Sequence, residues 1–456
     1  MGNKISRQRR DLRSSDEELS LRVCKVLDQL GYSQSMVEHR REVWRETDVI
    51  RNRKDRNITW IIAGSKGEGF TAPFESDVDR VRLNNFSVCE TQGDEFLTLP
   101  DTHFKFIMES NHCHPGHFRL NLTHSGTTAY SNIQQALFVH DHGKIYISSE
   151  IYRTTFIEDK TQQTVSGPAI TDCDEYSSCD NVNAFRCTSK QQLLSEWMKR
   201  PRHHNWPTQE LRKVVSEIEA QMVPVGCKSS GNKDIEWRVC FIISEQRLTD
   251  SWNKNQYKIY ILLKLIKNSQ LKPISDEISS YLMKNIMLWF TEQNPAKIFR
   301  KKYLLQNVMS CLKMLQDAIK ANNLSYYMIP HRNMLTGKIN QEQERQLIEK
   351  LEKLIKKGPR VILRCPKLCA ALQMSPAELA EKGRWRDELE ELYLKMEIIW
   401  CTYWSPDLKD EEVYQLANRD QRYECLYDKI CDMVLPQWRE NYESDVMHRK
   451  IVDALS

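Results

Sequence analysis

The sequence lacks the features that would place the chain in a membrane or in an oxidising compartment. No apolar run approaches the roughly 20 residues that a membrane-spanning helix needs. No secretory signal with an apolar core is present, and the 14 cysteines are scattered along the chain. Reduced thiols in a cytoplasmic protein are therefore expected. The net charge is only +4, so basic residues matter for function only where they cluster.

Two common nucleotide-binding motifs are also missing from the glycine-rich segment near the N-terminus. Ala63 to Arg80 reads AGSKGEGFTAPFESDVDR and opens with three glycines in six residues. It has neither the Gly-Lys-Ser/Thr of a phosphate loop nor the GxGxxG spacing of a dinucleotide fold. A Gly-Ser turn at the end of a strand can still offer backbone N–H groups and a hydroxyl to a triphosphate.

The same segment ends in two carboxylates that a strand would place on one side. A β-rich run, Ile58 to Gly64, precedes the glycines, and Asp77 to Val81 is predicted as the next strand. Residues two apart on a strand point to the same side, so Asp77 and Asp79 should face one way. Paired carboxylates can hold two Mg²⁺ or Mn²⁺ ions for an in-line displacement. A solvated acidic edge strand is the alternative.

Further along the chain, the pattern changes from short strands to long helices. Strand-like runs occur at Lys144–Ser148, Asp180–Cys187 and Glu236–Ser244, and helical patterns dominate from about Glu245 onward. The predicted fold class is therefore α+β. The predicted domains are a basic tail at 1–14, a core at 15–245 that opens with a capping box at Ser15, a helical lobe at 246–340 and a helical extension at 341–456.

The order and spacing of several short segments are more specific than any one of them. Gly64-Ser65 is followed twelve residues later by Asp77-x-Asp79, and Cys179–Pro207 carries an acid on a strand before a tryptophan-containing helix. The other segments are Glu236–Leu248, Leu262–Lys267, Ile278–Lys284 and Tyr326–Leu335. Together they resemble nucleotidyltransferases of the cyclic GMP-AMP synthase type over roughly residues 15–340. The resemblance is to the invertebrate cyclic GMP-AMP synthase-like receptors, in the superfamily shared with the male-abnormal developmental proteins.

This resemblance implies both a fold and an activity. The fold would be a bilobal nucleotidyltransferase, with a mixed sheet and a long spine helix in one part and a helical lobe in the other. The activity would be synthesis of a cyclic dinucleotide from ATP and GTP, with Mg²⁺ or Mn²⁺, in innate immune signalling. A catalytically silent protein that binds nucleotide or a partner on the same fold is the alternative.

The resemblance also implies a role for each matching residue. Asp77, Asp79 and Asp180 would bind two metal ions, and Asp180 would help to activate the attacking ribose hydroxyl. The implied nucleotide contacts are Gly64 and Ser65 on the triphosphate, Arg238 on the acceptor base or its phosphate, Cys240 and Glu245 on the donor side, Lys264 and Lys267 on phosphates, and Ser280 with Tyr281 on phosphate and base. From the residues alone, a tyrosine in an apolar helix, such as Tyr281, is usually a core side chain. Lys264 and Lys267 lie three apart on one helix face, so a solvated stripe is an equal alternative for them.

One departure from the vertebrate DNA sensor bears on the activating ligand. That sensor carries a zinc module after the position of Glu245, whereas Glu245–Ser280 contains no cysteine and no histidine. Structural zinc needs four such ligands, so no zinc is expected. Relatives without the module often sense double-stranded RNA, which is read by shape and phosphate contacts. RNA is therefore favoured over DNA, and the candidate basic surfaces are Arg40–Arg56 and Lys199–His204.

Three further features leave alternatives open. Met1–Ser6 fits the pattern for N-myristoylation of Gly2, and basic residues follow that would supply a second membrane signal. An ordinary disordered start is the other interpretation. Asn111–His117 holds four side chains able to bind zinc, but their spacing fits no common structural site. A dimer that forms on the activating ligand is left open.

Overall fold

A computed structural model describes residues 2–92, 100–128, 130–140, 143–159, 161–173, 178–435 and 444–455. It contains long helices together with a large sheet, which confirms the predicted α+β class. The α-helices are α1 (Gly2–Leu27), α2 (Gln34–Lys54), α3 (Gly64–Gly67), α4 (Ser131–Ala136), α5 (Ser149–Thr154), α6 (Lys190–Leu193), α7 (Ser195–Lys199), α8 (Gln209–Glu217), α9 (Ile242–Asp250), α10 (Lys254–Ile266), α11 (Ser280–Gln293), α12 (Leu304–Lys320), α13 (Gln341–Lys357), α14 (Pro366–Gln373), α15 (Pro376–Tyr403), α16 (Asp410–Ala417), α17 (Gln421–Val434) and α18 (Ser444–Leu455). Turns of π-helix cover Asp28–Tyr32 and Lys267–Leu271, and turns of 3-10 helix cover Ala296–Ile298, Lys301–Tyr303 and Gly358–Arg364.

The strands all belong to one mixed sheet. They are β1 (Ile58–Ile62), β2 (Val78–Thr91), β3 (Phe104–Glu109), β4 (His117–His124), β5 (Leu137–Val139), β6 (Ile145–Ile147), β7 (Gln163–Ser166), β8 (Ala169–Cys173), β9 (Ser178–Cys187), β10 (Ala220–Val223) and β11 (Glu236–Cys240). None of the helices in the described part of the chain combines the length and the apolar character that a bilayer crossing requires. All 14 cysteines remain thiols.

The chain divides into two compact units, and each is assembled from separate stretches of sequence. The helical unit comprises residues 1–34, 191–217 and 247–383. The sheet unit comprises residues 35–190, 218–246 and 384–456, so the C-terminal helices from residue 384 belong with the sheet. The domain boundaries and the bilobal arrangement implied by the sequence stay predictions.

The long strand β2 is the centre of the sheet. Its first half pairs with β1 antiparallel, its second half pairs with β3 parallel, and it pairs with β9 in parallel along most of its length. The order then runs through β4, β11 and β10 back to β9, so the sheet closes on β2. These pairings confirm the predicted mixed sheet.

Two faces of β2 have different surroundings. Val81 and Leu83 pack in a buried cluster with Ile61, Ala184 and neighbouring apolar side chains. Asp79 has the same parity as those two residues and therefore lies at the end of their apolar face. Val78 has the opposite parity and packs beside a second cluster, which contains Val43 and Trp44 of α2, Ile62 of β1 and Leu394 of α15.

Two boundaries differ from the sequence prediction. The run Glu236–Ser244 was predicted as one strand, but β11 ends at Cys240 and α9 begins at Ile242. Short apolar runs do not distinguish a buried strand from a buried helix, which explains the error. The helix predicted to start with a capping box at Ser15 instead begins at Gly2. The myristoylation pattern starts at Met1, which lies outside the described residues.

The charged helix predicted over 341–357 is confirmed as α13. Asn340 and Gln343 form a capping box at its N-terminus, in which each side chain accepts a hydrogen bond from the backbone of the other residue. Leu347, Leu351 and Leu354 are buried at helical spacing. Local capping and amphipathic periodicity therefore suffice to set this element.

Candidate active site

The register of β2 and β9 places two of the predicted acids side by side. Asp79 and Asp180 are direct partners in the parallel ladder. Paired residues of neighbouring strands lie about 4.8 Å apart across the ladder with side chains on the same face. Two carboxylates from distant parts of the chain are thus neighbours at one edge of the sheet unit.

Asp77 completes this group although it lies just before β2. Ser178, at the start of β9, donates a hydrogen bond to Asp77 Oδ1. Thr171 Oγ1 donates to Asp180 Oδ1 at 2.5 Å. Partial burial raises the pKa of Asp180, the Thr171 hydrogen bond opposes that shift, and the charge of Asp77 adds to it. The acids are therefore close enough to repel one another, and a cation would relieve that repulsion.

The donor chemistry of this group suits a hard cation. Carboxylate oxygens are the ligands that Mg²⁺ prefers, and Asp77, Asp79 and Asp180 would be the ones to hold it. Across the residues that the structure describes, no three acidic, histidine or cysteine side chains are placed together as metal ligands. Two of the three carboxylates instead accept hydrogen bonds from hydroxyl groups.

The predicted Gly-Ser turn lies directly against Asp79. Gly64 follows β1 and has a positive φ of +60°, and a Cβ placed on it would lie 1.8 Å from Asp79 Oδ2. The backbone N–H of Ala63 donates to the carbonyl of Asp79 at 2.8 Å. Ser65 is the next residue and is half-buried. Only glycine allows the turn to approach the carboxylate this closely.

Three further predicted residues of the sheet unit lie in β11 and α9. Arg238 is half-buried between the partner residues His117 and Val223. Cys240 is 8% exposed and Glu245 is 2% exposed, so both are buried, in contrast to the exposed Asp77. Cys240 belongs to the apolar cluster beneath β1 and β2.

Sequence reasoning missed the side chain that supports the turn from below. Gln246 Nε2 donates to the carbonyl of Ile62 at 2.8 Å. A Cβ on Gly67 would lie 2.2 Å from that carbonyl oxygen and 2.6 Å from Gln246 Nε2. The second glycine of the turn is therefore needed for close packing, and no sequence motif marks Gln246.

The predicted phosphate-binding lysines lie in the helical unit, in and just after α10. Lys267 is only 9% exposed. Burial and the charges of Lys272 and Lys264 lower the pKa of Lys267 to about 8, and Asp276 opposes this shift. These lysines therefore concentrate positive charge around the buried Lys267, which is a suitable environment for an anion. The burial of Lys267 is evidence against a solvated stripe.

Ser280 and Tyr281 open α11 in the same unit. Ser279 caps this helix by accepting a hydrogen bond from the backbone of Leu282. Tyr281 is half-buried, and its ring centroid lies 6.2 Å from that of Tyr326 and 5.3 Å from Lys284 Nζ. The ring is therefore at the border of the core rather than inside it.

The first candidate basic surface is wrong for three of its arginines. Arg40, Arg41 and Arg51 are buried. Arg40 binds Glu390 with two hydrogen bonds of 2.5 and 2.7 Å, although 350 residues separate the two along the chain. A pattern of local charges cannot reveal such a distant partner. The exposed cations of this stretch are Arg45, Arg53, Lys54 and Arg56.

The second candidate surface also contributes to the interior of its unit. Arg200 and Arg202 both pair with Glu292 at 2.9 Å. Their guanidinium groups also stack, at 4.2 Å over Trp289 and at 4.9 Å over Trp197. The two arginines therefore hold α7 and α11 together.

The side chains of the histidine-rich loop make several polar contacts. His114 Nε2 lies 3.3 Å from Ser229 Oγ, and His117 Nδ1 lies 3.3 Å from the carbonyl of Pro115. Cys113 Sγ contacts the carbonyls of Glu109 and Asn111. Each of these three side chains therefore has its own partners.

A comparison with protein-family models identifies one matching domain. Residues 255–353 match the model of the Mab-21 protein HhH/H2TH-like domain. The matched stretch lies within the helical unit and contains Lys264, Lys267, Ser280 and Tyr281. The match supports the relationship with Mab-21 and cyclic GMP-AMP synthase-like nucleotidyltransferases that the sequence resemblance predicted.

Proposed function

We propose that the chain is a nucleotidyltransferase that joins two nucleoside triphosphates, ATP and GTP, into a cyclic dinucleotide. Double-stranded nucleic acid activates it, and the product serves innate immune signalling in the cytoplasm. The observation that carries the proposal is the pairing of Asp79 with Asp180, with the Gly64 backbone packed on the carboxylate of Asp79. A triphosphate site needs such a combination of a tight glycine turn and adjacent acids.

The acids would hold Mg²⁺ or Mn²⁺ through Asp77, Asp79 and Asp180. When bound, the ions neutralise charge on the phosphates and favour ionisation of the ribose hydroxyl. Thr171 occupies Oδ1 of Asp180, so we assign proton acceptance to Oδ2. A raised pKa suits Asp180 to this role, because a general base works best when its pKa is near the ambient pH.

After deprotonation, the ribose hydroxyl attacks the α-phosphate of the other nucleotide. The hydroxyl oxygen forms a bond to the α-phosphorus, the bond from that phosphorus to the bridging oxygen breaks, and pyrophosphate leaves with the electron pair. Gly64 and Ser65 hold the triphosphate through backbone N–H groups and the serine hydroxyl. A second round of the same reaction closes the ring.

In the helical unit, the lysine group around Lys267 supplies a phosphate-binding surface and Tyr281 a ring on which a base stacks. Base stacking contributes roughly 1–3 kcal/mol. Lys267 loses its charge as the pH rises through about 8, so phosphate binding should weaken above that pH.

Double-stranded RNA remains our preferred activator, because Glu245–Ser280 has no cysteine or histidine to build a zinc module. The exposed residues Arg45, Arg53, Lys54 and Arg56 are the part of the first basic surface that is accessible to a phosphate backbone. Acylation of Gly2 would add a membrane contact, and Gly2→Ala should then lower membrane partition.

The decisive variant is Asp79→Asn. Product formation should fall by about 100-fold or more, because the substitution removes a metal-binding charge, while the unfolding midpoint should change little. Asp101→Asn, at an exposed acid outside the site, is the matched control and should retain full activity. Full activity of Asp79→Asn would contradict the proposal.

A second candidate function is nucleotide or partner binding without turnover. The hydroxyls of Ser178 and Thr171 already bind oxygens of Asp77 and Asp180, which favours this alternative. Nucleotide binding without any product, with every nucleic acid tried, would support it.

A further inference from the structure

The long helix α15, in the C-terminal part of the chain, lies against the loop that carries the candidate site. Glu390, Tyr393, Leu394 and Glu397 follow helical spacing and therefore share one face of α15. All four belong to the sheet unit, as does the loop from Gly64 to Asp77. We refer to this loop as the Gly64–Asp77 loop.

The first contact runs through Arg40 of α2. Its Nε and Nη2 bind Glu390, and its Nη1 donates to the carbonyl of Gly69 at 3.3 Å. The side chains of Arg40 and Glu390 are both 0% exposed. A bidentate carboxylate fixes the plane of a guanidinium group, so Glu390 determines where Arg40 holds the loop.

A second contact reaches another point of the same loop. The ring centroids of Phe74 and Tyr393 are 5.0 Å apart. Lys66 is only 4% exposed; burial lowers its pKa to about 8, and the nearby charge of Glu397 opposes that shift. Leu394 packs with Ile62 in the cluster beside Val78. The helix therefore touches the loop and both strands that flank it.

The middle of the Gly64–Asp77 loop is buried, whereas the candidate site residues at its two ends are accessible. Its interior residues from Lys66 to Pro73 are buried, whereas Gly64, Ser65 and Asp77 are at least partly accessible. A buried ion pair adds little net stability compared with apolar residues, but it restricts the groups it binds to one orientation. The Arg40–Glu390 pair is thus better suited to orientation than to stability.

We propose that Glu390 is a positioning residue for the candidate site, so that α15 sets the placement of Gly64, Ser65 and Asp77. This inference rests on the proposed function for its catalytic consequence, though not for its structural one. A catalytic group displaced by about 1 Å lowers turnover by about 100-fold. The C-terminal segment would then be part of the catalytic machinery, although it contributes no residue that touches substrate.

The test uses the full-length chain with both charges of the pair removed. Arg40→Met with Glu390→Met removes both charges of the pair, and Arg386, which also pairs with Glu390, keeps Asp387 as a partner at 3.1 Å, so the chain should keep its fold. The amides of residues 66–76 should exchange hydrogen about tenfold faster, because Gly69 has lost its donor. The turnover number should fall by about tenfold or more with little change in KM.

A matched control lies on the same helix. Glu391 is exposed, so Glu391→Gln should alter neither exchange nor turnover. Unchanged exchange in the loop of a folded double variant would overturn the proposal, and so would faster exchange with an unchanged turnover number. If the wild-type chain makes no product, faster exchange confined to residues 66–76 supports positioning, and the proposed function alone has failed.

Discussion

Gly64 shows how much of the site depends on a single residue. Its φ of +60° is one that other residues rarely adopt, and the Asp79 carboxylate occupies the place of a side chain. The backbone conformation and the close approach to an acid are separate constraints. They can be tested separately, because Gly167 has nearly the same φ, +58°, with nothing within 4 Å of its Cβ position.

Gly64→Ala should lose nucleotide binding, whereas Gly167→Ala should not. Both variants should lose about 1 kcal/mol of folding free energy from the positive φ. Only Gly64→Ala must also displace Asp79. Urea unfolding and nucleotide titration would measure the two effects. Equal nucleotide affinity in the two variants would refute the role of the close approach.

Asp180 should lower stability at neutral pH. Its folded-state pKa is raised by burial and by Asp77, so the folded chain binds the proton more tightly than the unfolded chain does. Stability is then lost as the pH rises through the folded-state pKa. Asp180→Asn should therefore be more stable than wild type at pH 7.

The difference should shrink toward pH 4, close to the ordinary aspartate pKa of about 3.9. Urea unfolding at pH 7 and pH 4 would measure the difference in folding free energy between Asp180→Asn and wild type, with Asp101→Asn as the control. A variant that is less stable than wild type at pH 7 would mean that Asp180 is a structural acid.

Among the structural elements, β2 and α2 show what the sequence can and cannot predict. The alternation of side chains along a strand predicted which face of β2 carries Asp79. The resemblance to the nucleotidyltransferases predicted that Asp180 is the third acid of the site. The register that makes them neighbours depends on the parallel pairing of β2 with β9, which no local pattern specifies. Charge clustering on α2 predicted a basic surface. However, Arg40 binds Glu390 and Arg41 donates to the carbonyl of Glu68, so these two arginines are buried.

Alanine substitutions in the two candidate basic surfaces should have different effects on RNA binding and on folding free energy. Arg53→Ala with Arg56→Ala should weaken RNA binding and lower the slope of log affinity against log salt by about 2, because both side chains are exposed. Arg202→Ala should instead lower the folding free energy by about 2 kcal/mol, because Arg202 is a nearly buried partner of Glu292. If Arg202→Ala also changed the slope of log RNA affinity against log salt, Arg202 would be part of the RNA-binding surface.

For the whole molecule, the principal surprise is the place of the C-terminal segment. The sequence predicted a helical extension at 341–456 with no role. Residues from 384 onward belong to the sheet unit, where Trp400 and Trp404 pack with Ile50, Trp60 and Phe74. Helical periodicity predicted these helices well, but their partners are far away in sequence and only tertiary contacts reveal them.

The most direct test incubates the purified chain with labelled nucleoside triphosphates and Mg²⁺ or Mn²⁺, alone and with double-stranded RNA or DNA. Products are separated by chromatography before and after phosphatase treatment. A cyclic dinucleotide forms two phosphodiester bonds and keeps no terminal phosphate, so the expected result is a phosphatase-resistant product that appears with RNA. Nucleotide binding with no such product under any of these conditions would contradict the proposed synthase.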